Sequence, residues 1–186
     1  MKSLENKIFV NTSNPGKLAE FQKFFADYSR HVAVEATQKS LPEPQSDPIT
    51  VIRFKASQFE NVIVDDVSLD VEGADLGVNI RWSLDTLDSH IGKSAVFICY
   101  LGVHRDGKIF IFKGEVSGKL VPPRGKSFGF NPYFLPDGAV KTLAEEKADL
   151  FNARYHALQN FIANHPHQIC EPLKEWDGNF QGTTAP

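Results

Sequence analysis

The spacing of apolar positions changes several times along the chain. Lys7–Thr12, KIFVNT, is a short apolar run ending in turn residues, and it predicts a strand. SNPGK then turns the chain. Asn14 suits a helix N-cap and Pro15 the first helical position. Leu18, Phe21, Phe24 and Phe25 follow at helical spacing, so the opening stretch predicts strand, tight turn, helix. His31–Glu35 predicts a second strand, and Leu41–Pro48 is a proline-rich loop. Ile49–Glu60 predicts a helix with Ile49, Ile52, Ala56 and Phe59 on one face. Asn61–Asp66, NVIVDD, predicts a buried strand that ends in two carboxylates.

Farther on, Leu76–Ile91 contains a turn and a short helix around Ser83–His90. Ser94–Val103 and Ile109–Leu120 are long strands joined by HRDGK, whose Asp-Gly pair predicts a hairpin. Pro122–Gly138, rich in Pro, Gly and aromatics, is a candidate functional loop. Lys141–Lys147 predicts one helical turn, Asn152–Asn164 a longer helix, and Glu171–Pro186 an irregular tail. Strand–helix units combined with one long hairpin predict an α/β fold with a mixed sheet, organised as one domain over residues 1–170 with the tail at 171–186.

Composition changes this picture little. The chain has 186 residues, 41% hydrophobic and 23% charged, which suits one soluble globular domain. A net charge of -3 argues against a nucleic-acid polymer as partner but leaves room for a nucleotide-sized anion on local lysines. Cys99 and Cys170 have no metal or redox spacing. No apolar stretch approaches the roughly 20 residues of a membrane span, and MKSLENKIFV has no signal-peptide core. The reading is a cytoplasmic protein with no membrane partner.

Candidate chemistry gathers at four places. Lys17 begins a helix, where a cation costs roughly 0.3–1 kcal/mol unless an anion lies nearby. With Thr12, Ser13 and Asn14 beside it, the turn suits a phosphate, although it is not the common G-x-x-x-x-G-K-[ST] loop and an ordinary capped turn has the same outline. Asp65 and Asp66 close an apolar strand, where converging carboxylates repel unless a cation is present, and Mg²⁺ binds through one or two carboxylates plus substrate phosphates. Lys55 sits on the helix before that strand. PPRGKSFGFNPYF, Pro122–Phe134, mixes Arg124 and Lys126 with aromatics that stack on bases or fill a core. Arg154 begins the last good helix and can donate two parallel hydrogen bonds. The six histidines form no ligand spacing.

In combination these segments resemble the inosine/xanthosine triphosphate pyrophosphatase family. T-x-N-x-G-K-x-x-E-F corresponds to Thr12, Asn14, Gly16, Lys17, Glu20 and Phe21. VDDVSLDVEG corresponds to the family's acidic pair, PPRGKSFGFNPYFLPDG to its aromatic loop, and Thr142, Ala144, Glu145 and NARYHAL to its closing motif. The resemblance runs from about Lys7 to Phe161. It implies an elongated mixed sheet flanked by helices, two lobes around a central cleft, a homodimer, and Mg²⁺-dependent hydrolysis of a nucleoside triphosphate to monophosphate and pyrophosphate. On that resemblance Thr12, Asn14 and Lys17 hold the triphosphate and Lys55 adds a contact. Asp65 and Asp66 hold Mg²⁺, and Asp66 activates water. Phe128 stacks on the purine, Gly129, Phe130 and Asn131 shape the base pocket, and Arg154 reads the 6-oxo group.

Five positions depart from the family pattern. Thr50 replaces an acidic residue five positions before Lys55, with Asp47 nearby but out of register. Asn131 replaces an aspartate. Asn152 and Ala153 replace a serine and a histidine. Ala148 stands where a lysine is expected, with Lys147 one step away. The departures leave open altered base selectivity, a nucleotide-binding protein with weakened catalysis, or a related pyrophosphatase with another phosphorylated substrate.

Overall fold

A computed structural model describes residues 6–29 and 32–182. Among them eight strands form one mixed sheet, in the order β2-β1-β3-β5-β6-β7, with β4 on β3 and β8 on β6. The chain enters at β1 (Asn6–Asn11), where Val10 is buried and Phe9 half exposed, the alternation of a pleated strand. α1 (Pro15–Tyr28) follows and buries Phe21, Phe24 and Phe25 as one stripe. β2 (Val32–Ala36) returns parallel to β1; the expected first residue of that strand, His31, lies outside the described residues. α2 (Pro48–Ser57) leads to β3 (Val62–Val71), which pairs parallel with β1.

The rest of the sheet is antiparallel. β4 (Ala74–Gly77) folds back on β3, and β5 (Ser94–Arg105) pairs with β3 along eight positions. β5 and β6 (Lys108–Leu120) form the predicted hairpin, closed by Asp106 and Gly107 with φ of 51° and 71°. Two positive φ values in succession are what the twist of a two-residue hairpin demands, and Asp-Gly meets it at low cost. β7 (Phe134–Pro136) and β8 (Gln168–Cys170) add short edges to β6, and α3 (Ala153–Ile162) precedes β8.

The helices take opposite faces. α1 and α3 cover one, where Phe21, Phe25, Leu69, Leu101 and Phe112 form the main core. Phe24 meets Tyr155 at 5.3 Å and Phe25 meets Phe161 at 6.4 Å, both edge to face. α2 covers the other face, packing Ile52 and Ala56 on Val64, Ile98, Tyr100, Ile109 and Ile111.

Two expectations change and a third is refined. β3 does not end at Asp66 but runs on to Val71, because β5 pairs with it continuously and Leu69 and Val71 return to the core. The short helix expected around Ser83–His90 is present as a 3-10 helix at Leu84–His90, preceded by another at Val78–Trp82. Lys141–Lys147 forms turns held by Glu145, whose carboxylate accepts the Thr142 N–H at 2.8 Å. Residues 171–182 form no helix or strand apart from an isolated bridge at Phe180, and they pack on α2.

Candidate active site

β1 leaves the ladder at Asn11, opposite Val64. Asp65 and Asp66 are the next residues of β3, the first with no β1 neighbour. The space beyond that strand end is a cavity of about 820 Å³, lined among others by Thr12, Asn14, Lys17, Glu43, Lys55 and both aspartates. It lies at the carboxyl end of a parallel strand where the chain turns into a helix, the usual ligand position in open α/β sheets.

Because β3 continues as a strand, the two aspartates point to opposite faces. Asp65 faces α1 and α3. Lys17 Nζ is 3.1 Å from its carboxylate, and Arg154 donates to it through Nε at 3.2 Å and a terminal nitrogen at 2.8 Å. Burial works against its charge, but Lys17, Arg154 and Lys55 outweigh burial and hold its pKa well below the usual carboxylate range. Asp66 faces α2. Lys55 Nζ is 3.5 Å from Asp66 Oδ1, 2.8 Å from Glu43 Oε1 and 2.6 Å from the Asp65 carbonyl oxygen. Burial raises the Asp66 pKa and the neighbouring Glu43 charge adds to that, against Lys55. Burial likewise disfavours the Lys55 charge, yet Asp66, Glu43 and Asp65 keep its pKa above the ordinary lysine value.

The β1–α1 turn is built by its own side chains. Asn14 Oδ1 accepts the N–H groups of Gly16 at 2.9 Å and Lys17 at 3.2 Å, Thr12 Oγ1 accepts that of Asn14 at 3.1 Å, and Leu18 N–H reaches the Asn14 carbonyl. Pro15 has no N–H. The open helix-start donors expected for a phosphate are therefore already satisfied, and what the turn offers the cavity is Lys17 and the side chains of Thr12 and Asn14. The anion that offsets Lys17 at this helix start is Asp65.

The aromatic loop divides. Phe130 lines the cavity but packs edge to face on Phe97 and Phe134 at 5.1 and 6.1 Å, so it belongs to the core. Asn131 is buried, and its amide donates to Ser127 Oγ at 3.1 Å. Phe128 is half-buried against the turn; a Cβ at Gly16 would stand 2.4 Å from its ring. Gly16→Ala is expected to displace Phe128 and raise KM at least about fivefold with α1 intact, by steady-state kinetics and circular dichroism.

Arg154 is 3% exposed. Besides Asp65 it pairs with Glu20, so at the cavity wall its guanidinium holds two carboxylates together. Asp65 is tied to two cations, Lys17 and Arg154.

Three cavity residues went unassigned by sequence reasoning. Glu43 lies in the proline-rich loop, where no periodicity marks it. Glu20, 2.8 Å from Lys147, is quoted in the motif without a role. Lys147 Nζ sits 4.1 Å above the Phe128 ring. At the expected acidic position, Thr50 is a capping residue: its N–H and hydroxyl reach Asp47 at 2.9 and 2.7 Å, and Asp47 caps α2.

Among the described residues no three metal-ligating side chains form a cluster. The donor set nevertheless fits one hard cation with substrate oxygens: Glu43 and Asp66 share Lys55, and Asp66 Oδ2 is buried with no hydrogen-bond partner among the described residues.

Known proteins place this geometry. The dITP/XTP pyrophosphatase of Pyrobaculum aerophilum is 30% identical over 176 residues, covering 83% of this chain and 92% of its own. The inosine triphosphate pyrophosphatase of Yarrowia lipolytica is 32% identical over 192 residues, covering 87% and 97%. The Ham1 protein of Staphylococcus aureus has the same fold, with a TM-score of 0.66 at 23% identity over 86% of this chain and 97% of that one. The model of the Ham1 family matches residues 8–164. The β1–α1 turn, the Asp65–Asp66 pair and Arg154 all fall inside that span, and the chain belongs to the Ham1 family.

Proposed function

We propose that this protein hydrolyses deaminated purine nucleoside triphosphates to the monophosphate and pyrophosphate, with Mg²⁺. The observation that carries the reading is the cavity beyond β1, lined by Lys17, Lys55 and Lys147 and by a buried carboxylate, Asp66, one oxygen of which has no hydrogen-bond partner among the described residues. The names of the relatives from Pyrobaculum and Yarrowia support the substrate class.

Lys17, Thr12 and Asn14 bind the phosphates at the β1–α1 turn, and Lys55 adds charge from α2. Asp66 orients a water against the α-phosphorus and accepts its proton. The water oxygen bonds to that phosphorus as the bond to the bridging oxygen breaks, and pyrophosphate leaves with the electron pair. Burial of Asp66 favours this proton transfer, since it raises the carboxylate's basicity. Glu43 and Asp66, which share Lys55, would hold Mg²⁺ in this reading, in place of Asp65 and Asp66. When bound, Mg²⁺ supplies charge neutralisation on the phosphate oxygens. Phe128 stacks on the base, with Lys147 above its outer face. Arg154 positions Asp65 and Glu20. The protein is proposed to act in the cytoplasm, and a homodimer is carried over from the resemblance.

A substrate panel tests this. Protein and Mg²⁺ are given ITP, XTP, dITP and the four common triphosphates, and pyrophosphate release is followed. Release from the deaminated purines well above the others is expected; tight binding with no turnover on any of them overturns the enzymatic reading. In the same assay Lys17→Ala should raise KM at least about tenfold, since a hydrogen bond to a charged group contributes about 1.5–3 kcal/mol. Unchanged KM and kcat would remove Lys17 from the site.

A further inference from the structure

The chain beyond the family match is attached to the cavity wall. The match ends at residue 164. From there the chain adds β8 to β6 and crosses α2: Arg53 Nε donates to the Glu171 carbonyl at 2.6 Å, Ser57 Oγ accepts the Leu173 N–H at 2.7 Å, and Gln58 Nε2 donates to the Lys174 carbonyl at 3.0 Å. It then pairs with the loop that carries Glu43. Gln45 N–H donates to the Asn179 carbonyl and Gln181 N–H to the Glu43 carbonyl, both at 2.8 Å, around an antiparallel bridge between Pro44 and Phe180. Gln181 Nε2 donates to the Pro44 carbonyl at 3.1 Å, and Phe180 meets Phe54 of α2 edge to face at 6.1 Å. Gln181 is 7% exposed although it lies at the end of the described residues.

Glu43 stands midway along the proline-rich connection between β2 and α2, which forms no helix or strand beyond the bridge at Pro44. Its carboxylate must nonetheless reach Lys55 at 2.8 Å to face Asp66. The hydrogen bonds from the tail fix the backbone on either side of that carboxylate, at Glu43, Pro44 and Gln45. A strand-like clamp of this kind removes loop freedom at the point where a ligand of the site begins.

We infer that residues 171–182 are a strap that positions Glu43 for the reaction, and that Gln181 is its positioning residue. The inference rests on the reading under Proposed function. The strap touches neither substrate nor Asp66; it acts through the backbone of residues 43–45.

The test is Gln181→Met in the full-length protein, which keeps the volume and removes the Nε2 donor. Expected is a kcat loss of about tenfold, the scale of a slight misplacement at a reacting site, with KM and melting temperature nearly unchanged. Glu43→Gln provides the decisive background: if the strap acts through Glu43, adding Gln181→Met costs less than about twofold more, whereas independent sites lose activity multiplicatively. Equal losses in both backgrounds, or an unchanged kcat, overturn the strap. A second readout does not use activity. Amide exchange at Gln45 should accelerate about tenfold in Gln181→Met, because the clamp opens locally; protection equal to that of the wild type overturns the strap even if no triphosphate is hydrolysed. Silence of the wild-type protein across the panel sinks the enzymatic reading instead. Phe180→Leu, which loosens packing on Phe54, should give the same pattern in smaller measure.

Discussion

Asp66→Asn is expected to lower kcat on the preferred triphosphate by about 10²–10⁴-fold, the range of a positioned general base, with KM changed only a few-fold. The amide cannot accept the proton that the attacking water must lose. It keeps the shape of the carboxyl, and burial already biases Asp66 toward its neutral form. Removal of this charge relieves its desolvation, while the amide nitrogen takes the place of the buried oxygen that has no partner among the described residues, so the two effects oppose each other and the melting temperature should change little. Lys55 stays paired with Glu43. Pyrophosphate release and a thermal melt on the same preparation separate the two effects. A variant that turns over within about threefold of wild type would show that another group carries the proton.

Arg154→Met is expected to be the most destabilising single change in the site. Arg154 is buried and bridges Asp65 to Glu20. Removing one partner of a buried ion cluster typically costs about 3–5 kcal/mol, because the charges left behind have lost their water and their counterion. For a chain of this size that corresponds to roughly 6–20 °C in melting temperature. Lys17 still reaches Asp65 and Lys147 still reaches Glu20, so the variant should fold. Arg154→Lys should recover only part of the loss, since one ammonium cannot donate to both carboxylates as the planar fork does.

The same cluster sets a pH dependence. Burial opposes the charge on Glu20, but Arg154 and Lys147 outweigh it and lower its pKa, and Asp65 is lowered in the same way. The folded protein thus holds these protons more weakly than the unfolded chain. The stability they contribute is complete above the ordinary carboxylate range, about pH 4, and is lost as pH falls through the lowered folded values. Arg154→Met should start from lower stability at neutral pH and lose less on acidification. Parallel acid curves for the two proteins would separate the cluster from the acid transition.

Much of the fold was legible because its signals are local. The Asn14 cap and Pro15 mark the start of α1 within three residues, and Asp106-Gly107 marks the hairpin that β5 and β6 complete. The two aspartates were legible as a feature but not in their geometry. An apolar run interrupted by two charges reads as a strand end. It is a strand interior, because β5 supplies a continuous ladder and each carboxylate finds cations on its own face.

By itself, then, the order of residues determined the strand–turn–helix opening, the long hairpin, the mixed α/β class, and the gathering of Lys17, Lys55, Asp65 and Asp66 as candidate chemistry. Tertiary structure alone decided who pairs with whom. Arg154 meets Asp65 across 89 residues and Glu20 across 134, and Gln181 reaches Pro44 across 137. Local preferences extend over a few residues along the chain, whereas ion pairing in a buried site depends on which helices cover which face of the sheet. That arrangement made Arg154 a buried bridge between Asp65 and Glu20. It also brought Glu43, unmarked in a proline-rich loop, to the Lys55 ammonium beside Asp66.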